Sequence, residues 1–210
     1  MPEPFTTLIG AAAPLLENDI NTDQVAPVMR DHRKSIHADY ALNLFYRRRF
    51  GEDGKENPNF VLNRPQYRQA KILVTGDNFG CGSSRESAVW AMTAFGIRCI
   101  VARSFADIYR ENCLKNGLLP VTYAPDQAAA FEAQVAKVDG GAPFSADLVK
   151  QTIRCPDGTE FRFDIATGER TALLEGLDDI GLTLKHRDAI ADWEQRVRNE
   201  RPWLQELSRR

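Results

Sequence analysis

The chain is 210 residues long, 43% apolar and 27% charged, a globular balance that accommodates one domain or a domain with a substantial extension. Its formal charge of −2 gives no electrostatic reason for nucleic acid or an anionic membrane as main partner. No apolar run approaches the roughly 18 residues that span a bilayer, and Met1-Pro2-Glu3-Pro4 lacks the basic start and apolar run of a secretion signal, so a soluble cytoplasmic protein is expected.

Residues 6–17 contain a short apolar segment that reads as strand with irregular turns. Asn18-Asp19-Ile20-Asn21-Thr22-Asp23 follows as a polar loop whose side chains suit backbone N–H groups. Residues 24–46 read as one short helix and a loop. Residues 47–68, with Gly51, Gly54, Pro58 and Pro65, read as loop, and Arg47-Arg48-Arg49 as a solvated face. From residue 71 the pattern becomes regular. It runs as a strand at 71–75, a glycine loop, and a helix at 84–95 stopped by Gly96. A strand at 99–102 comes next, then a helix at 105–116 with Ser104 as N-cap and Gly117 as stop. A strand at 118–123 and a surface helix at 125–138 complete this part. The alternation predicts a parallel sheet with covering helices. Pieces at 146–151, 151–155 and 159–165 read as antiparallel strands, the last two joined at Asp157-Gly158. Residues 186–207 form a polar helix. Its stripe of Ile190, Trp193, Val197 and Trp203 or Leu204 favours core packing over a partner face.

The run Asn78-Phe79-Gly80-Cys81-Gly82-Ser83-Ser84-Arg85-Glu86 concentrates the chemistry. It sits after a strand and opens a helix, where free N–H groups and the positive helix end favour an anion. Gly80 and Gly82 let the backbone bend and approach a ligand. Arg85 supplies a permanently charged fork suited to a carboxylate. Ser83 can serve as a base only as an alkoxide, which cationic neighbours would stabilise. The bland alternative makes Ser83 or Ser84 an N-cap and pairs Arg85 with Glu86 or a surface acid. The run is no Walker loop, no dinucleotide fingerprint and no nucleophile elbow. Cys81 reads as a small thiol filling a tight turn. Asp19, Asn21, Thr22 and Asp23 either line a site or cap a loop, and they lack the spacing of a calcium loop. The four cysteines include no C-x-x-C pair, and the three histidines form no ligand pair, so no metal held by this chain is expected.

These residues resemble the small subunit of bacterial 3-isopropylmalate dehydratase, which corresponds to the swivelling C-terminal domain of aconitase. The resemblance rests on Asn21-Thr22-Asp23, Phe60-Val61-Leu62-Asn63, the run 78–86 and Ser104-Phe105-Ala106-Asp107-Ile108. It extends through Gly117-Leu118-Leu119-Pro120-Val121 to the run 176–184, and so covers nearly the whole chain. It implies an α/β fold: a swivelling β/β/α domain spanning 1–210, a mostly parallel core sheet with flanking helices, additional strands, and a C-terminal helical extension at 185–210. It implies a half-enzyme. A large partner subunit would carry a [4Fe–4S] cluster through three cysteines, with one iron free to bind the substrate hydroxyl and carboxylate. Water would leave 2-isopropylmalate and return to give 3-isopropylmalate, in leucine biosynthesis. By this resemblance Ser83 is the base for the carbon-bound proton. Ser84 and Arg85 contact the oxyanion and a substrate carboxylate, and Asp23 lies at the edge of the site. The pattern breaks after Pro27. Val28 stands where the family has lysine, and 33–40 replaces an Arg-Thr-Gly type loop that would line the pocket for the substrate's variable group. Methylmalate/citraconate, dimethylmalate and homoaconitate therefore stay open as alternative substrates.

Overall fold

The computed structural model describes residues 2–27, 40–83 and 85–203. Two four-stranded sheets form the frame. One is parallel, with β2 (Ala12–Leu15), β3 (Ile72–Thr75), β4 (Cys99–Ala102) and β5 (Leu119–Thr122) in that order. The other is antiparallel, with β1 (Thr7–Gly10) beside β6 (Phe144–Asp147), β7 (Thr152–Arg154) and β8 (Glu160–Arg162). The chain crosses between the sheets at Ala11, between β1 and β2.

Alternation along the parallel strands divides the core in two. Leu73 and Ile100, opposite each other in register, share one apolar cluster with Val89 and Met92 of α4 (Glu86–Phe95) and Tyr109 and Cys113 of α5 (Asp107–Lys115). Ile72, Val74, Cys99 and Val101 share the other with Phe131 and Val135 of α6 (Pro125–Val138) and with Phe144, Ala146 and Ile153 of the antiparallel sheet. Helices thus cover one face of the parallel sheet, and α6 and the second sheet cover the other. Burial on both faces suits strands that read as continuous apolar runs. Each fully buried Leu, Ile or Phe contributes about 1.5–3 kcal/mol relative to exposure.

The mixed parallel and antiparallel expectation holds, with local corrections. Residues 47–68 are not simply loop: α3 (Tyr46–Arg49) and two 3-10 turns, at Val61–Asn63 and Pro65–Tyr67, occupy them. Arg49 of the basic run is buried rather than solvated. Short helices also form at α1 (Thr22–Val25) and α2 (Tyr40–Asn43). Residues 28–39, where the family pattern breaks, lie outside the described residues. Residues 148–151 leave the sheet as a turn, and α7 (Thr167–Glu175) and α8 (Asp179–Leu184) are helices that no periodicity announced. The C-terminal helix α9 (Arg187–Glu200) buries no residue. Its stripe is surface, with Ile190, Trp193 and Trp203 exposed. Trp203 lies beyond α9, and Leu204 lies outside the described residues. No helix among the described residues is long and apolar enough to cross a membrane.

Candidate active site

The glycine loop leaves the C-terminal end of β3 and hangs between the loops that follow β2 and β4. Gly76 N donates to Glu17 O at 3.1 Å, Asp19 N to Asp77 O at 2.9 Å, and Gly80 N to Ile20 O at 2.8 Å. On the other side Phe79 N donates to Ser104 O at 3.0 Å and Ala106 N to Phe79 O at 2.9 Å. Phe79 therefore bridges Phe105 in parallel, and Cys81 bridges Asn21. The parallel sheet continues as single bridges past its strand ends and carries the loop with it. Ligands in open α/β sheets bind outside these same carboxyl ends.

Side chains complete the suspension. Ser104 does not cap α5, whose N-cap is Ala106; its Oγ accepts from Asn78 N at 2.7 Å. Asn18 Oδ1 accepts from Asp77 N at 2.8 Å, and Asn78 Nδ2 donates to Asp19 Oδ1 at 2.7 Å. Asn78 and Asp19 both hold left-handed backbone, which Asn and Asp tolerate best after glycine. Two glycines are required here for different reasons. Gly80 has φ +81° and lies on the ring of Tyr109, so a Cβ would fall 2.5 Å from Tyr109 Cβ. Gly82 has φ +87°, but among the described residues a Cβ there would meet only Asn21 Cβ, at 3.4 Å.

Ser83 follows on exposed backbone. Ser84 lies outside the described residues. Helix α4 starts two residues later than expected, with extended Arg85 as its N-cap and no side-chain cap from that residue. Ser83 is therefore no N-cap; Ala88 N donates to Arg85 O at 3.1 Å, and among the described residues no side-chain oxygen caps the start of α4. Arg85 does not pair with Glu86; as the bland alternative allowed, its partner is a surface acid, the exposed Asp23. Arg85 Nη1 lies 2.7 Å from Asp23 Oδ1, an ion contact outside hydrogen-bond alignment. Asp23 rides on α1, whose N-cap Asn21 forms a reciprocal capping box with Gln24, both bonds 2.9 Å. Glu86 instead accepts from Asn116 Nδ2 at 2.9 Å. The fold thus brings together Asp23, Gly80, Gly82 and Arg85, with Ser83 on the same loop. Sequence reasoning missed Asn18, Asp19 and Ser104 as tethers of this loop. Ser104 stood in a recognised motif, but as a presumed cap.

Below the rim lies a second brace. Arg103 donates to both oxygens of Glu132 at 2.8 Å, and Tyr123 OH donates to the same carboxylate at 2.9 Å. Arg103 holds the Glu132 carboxyl below its usual range. Of the cysteines, Cys99 and Cys113 are buried, which pushes their thiols far up, and burial pushes Cys155 up to about 11. Cys81 is half-exposed in the loop. No three His, Cys, Asp or Glu side chains converge to hold a metal among the described residues. This donor set does not fit an iron–sulfur cluster, which needs clustered thiolates.

A parallel sheet whose carboxyl ends suspend a glycine–serine–arginine loop is an aconitase-type C-terminal domain, and the family model described as the aconitase C-terminal domain matches residues 2–126. A family model for the C-terminal domain of the 3-isopropylmalate dehydratase small subunit matches residues 179–206, and one described as LeuD_N matches 133–167. The 3-isopropylmalate dehydratase small subunit of Mesorhizobium japonicum is 46% identical over 96% of this chain and 99% of its own. That of Methylobacterium radiotolerans is 48% identical over 96% of this chain and 99% of its own. The solved structure of 3-isopropylmalate dehydratase from Methanocaldococcus jannaschii superposes with a TM-score of 0.61 and 25% identity, covering 90% of this chain and 99% of that one. The chain belongs to the 3-isopropylmalate dehydratase small-subunit family.

Proposed function

We propose that this chain is the small subunit of a hydro-lyase that interconverts 2- and 3-isopropylmalate, active only with a large subunit. The observation that carries the proposal is the Asp23–Arg85 pair two residues along the chain from Ser83, at a helix start that no described side chain caps, on a loop suspended from the sheet. The names of the relatives favour isopropylmalate over other malate-type acids. The chain would act as one swivelling domain, residues 1–210, with 185–210 as a helical extension, in the cytoplasm.

The roles follow from the residues. Ser83 Oγ, as alkoxide, would take the carbon-bound proton while the bond from the neighbouring carbon to oxygen breaks and the hydroxyl departs as hydroxide. Adding hydroxide to the carbon that lost the proton, while Ser83 gives its proton to the carbon that lost the hydroxyl, yields the isomer and restores the alkoxide; the net change is loss and regain of water. A serine ordinarily keeps its proton, so the alkoxide needs positive surroundings. The first N–H groups of α4 and the Arg85 guanidinium are suited to provide them. Arg85 would exchange its contact with Asp23 for two parallel bonds to a substrate carboxylate. Ser84 would hold the oxyanion, and the backbone at Gly80 and Gly82 would let the substrate approach. The [4Fe–4S] cluster expected in the large subunit would supply a Lewis acid for the hydroxyl.

The test is reconstitution with the large subunit and a panel of malate-type acids. Turnover of isopropylmalate by the pair, and by neither chain alone, is expected. Equal or better turnover of methylmalate would move the assignment to a related hydro-lyase. No turnover of any malate-type acid would overturn it.

A further inference from the structure

The motif Phe60-Val61-Leu62-Asn63 contributes no group to the site, yet its last residue, Asn63, holds a buried cation. Arg49 is 8% exposed and, among the described residues, has no carboxylate in hydrogen-bond contact. Its Nε donates to Asn63 Oδ1 at 3.2 Å, and its Nη1 to Ala41 O at 2.9 Å and Leu44 O at 3.3 Å. The guanidinium lies 5.1 Å from the centre of the Phe50 ring and 5.0 Å from that of Phe95, the last residue of α4. Asn63, itself 3% exposed, donates back to Arg49 O at 2.6 Å and to Asn57 O at 2.9 Å. A cation desolvated this far, with its guanidinium lowered from the ordinary value by burial, is an expensive way to pack a surface turn.

What the cation holds is strained. Phe45 is fully buried and has φ +48°, a conformation that bulky side chains avoid. The Leu44–Phe45 peptide is gripped on both edges. Its carbonyl accepts from Arg49, and its N–H donates to Val25 O at 2.7 Å. Phe45 O accepts from Arg48 N and Arg49 N, both at 2.8 Å, and the Phe45 ring packs 5.5 Å from that of Phe60. Val25 is the last residue of α1. Helix α1 is therefore tied at its start by Thr22 N donating to Cys81 O at 3.0 Å, and at its end by the Phe45 N–H. Asp23 stands between the two ties, 2.7 Å from Arg85.

We infer that Arg49 is a positioning residue, which with Asn63 locks the left-handed Phe45 and so sets α1 and Asp23 against Arg85. The inference rests on the site assigned above. Arg49→Lys keeps the charge but loses the fork that reaches Asn63 and two carbonyls together. In this chain, amide exchange at Phe45 and at Ala26, which closes α1 onto Thr22 O, should accelerate at least ten-fold. Amides of β3 and β4 should be unchanged. Unaltered exchange at Phe45 and Ala26 would overturn the inference without touching the proposed activity. In the reconstituted enzyme Arg49→Lys should raise KM for isopropylmalate more than it lowers kcat. Combined with Asp23→Asn it should add little further. Fully additive effects would overturn the route through Asp23. Should Arg49→Lys fail to fold, Asn63→Ala, which removes the acceptor of Arg49 Nε and both amide donors without adding a charge, carries the same measurements, with acceleration of at least three-fold expected and unchanged exchange overturning.

Discussion

Replacing Gly80 and Gly82 by alanine separates two costs that glycines usually confound. Both have similar left-handed backbones, φ +81° and +87°. An L-residue there costs about 1–2 kcal/mol. Gly82→Ala incurs little else, because its Cβ would sit 3.4 Å from Asn21 Cβ, ordinary contact. Gly80→Ala must also drive a methyl into Tyr109, whose ring is fully buried and edge-on to Phe79 at 5.4 Å. Overpacking a tight core typically adds about 1–3 kcal/mol. The expected totals are about 1–2 kcal/mol for Gly82→Ala and about 2–5 kcal/mol for Gly80→Ala. In a chain of this size each kcal/mol lowers Tm by roughly 2–4 °C. Urea unfolding of the isolated chain, with unchanged slope, measures both. Equal losses for the two variants, or a loss below about 1 kcal/mol at Gly80, would refute the close approach to Tyr109.

In the reconstituted enzyme, Ser83→Ala should lower kcat by about 10²–10⁴-fold, the usual contribution of a general base, with KM little changed; near-normal turnover would dismiss Ser83 as base. Arg85→Lys should raise KM roughly 10–100-fold, the equivalent of one lost charged hydrogen bond, as read from steady-state kinetics. Because Arg103 depresses the Glu132 carboxyl in the folded chain, its stabilisation is present above the unfolded carboxylate value of about 4.3 and is lost as pH falls through the lower folded value. Denaturant midpoints should therefore fall less steeply below pH 5 in Glu132→Gln than in the parent. Thiol labelling of the native chain near pH 8 should modify Cys81 first, with Cys99 and Cys113 reacting only on unfolding, as mass spectrometry of the labelled peptides would show.

Periodicity and punctuation in the amino-acid sequence determined most of the frame. Apolar runs of three residues at β3 and four at β4, followed by amphipathic stretches that end at Gly96 and Gly117, leave little choice but strands, helices and left-handed stops, because those signals are local. The loop from Asn78 to Glu86 was legible for the same reason: its glycines, serine and arginine lie within one turn of each other. What only the tertiary structure decided involves residues far apart in the chain. That Arg85 meets Asp23, that Ser104 holds Asn78 instead of capping α5, and that Arg49 is buried between Phe50 and Phe95 depends on three strand ends converging. The exposure of Trp193 belongs with these, since an apolar stripe looks the same in sequence whether or not the fold covers it. A linear pattern encodes which face of an element is apolar; only packing determines what that face, or a polar group at its end, finds opposite.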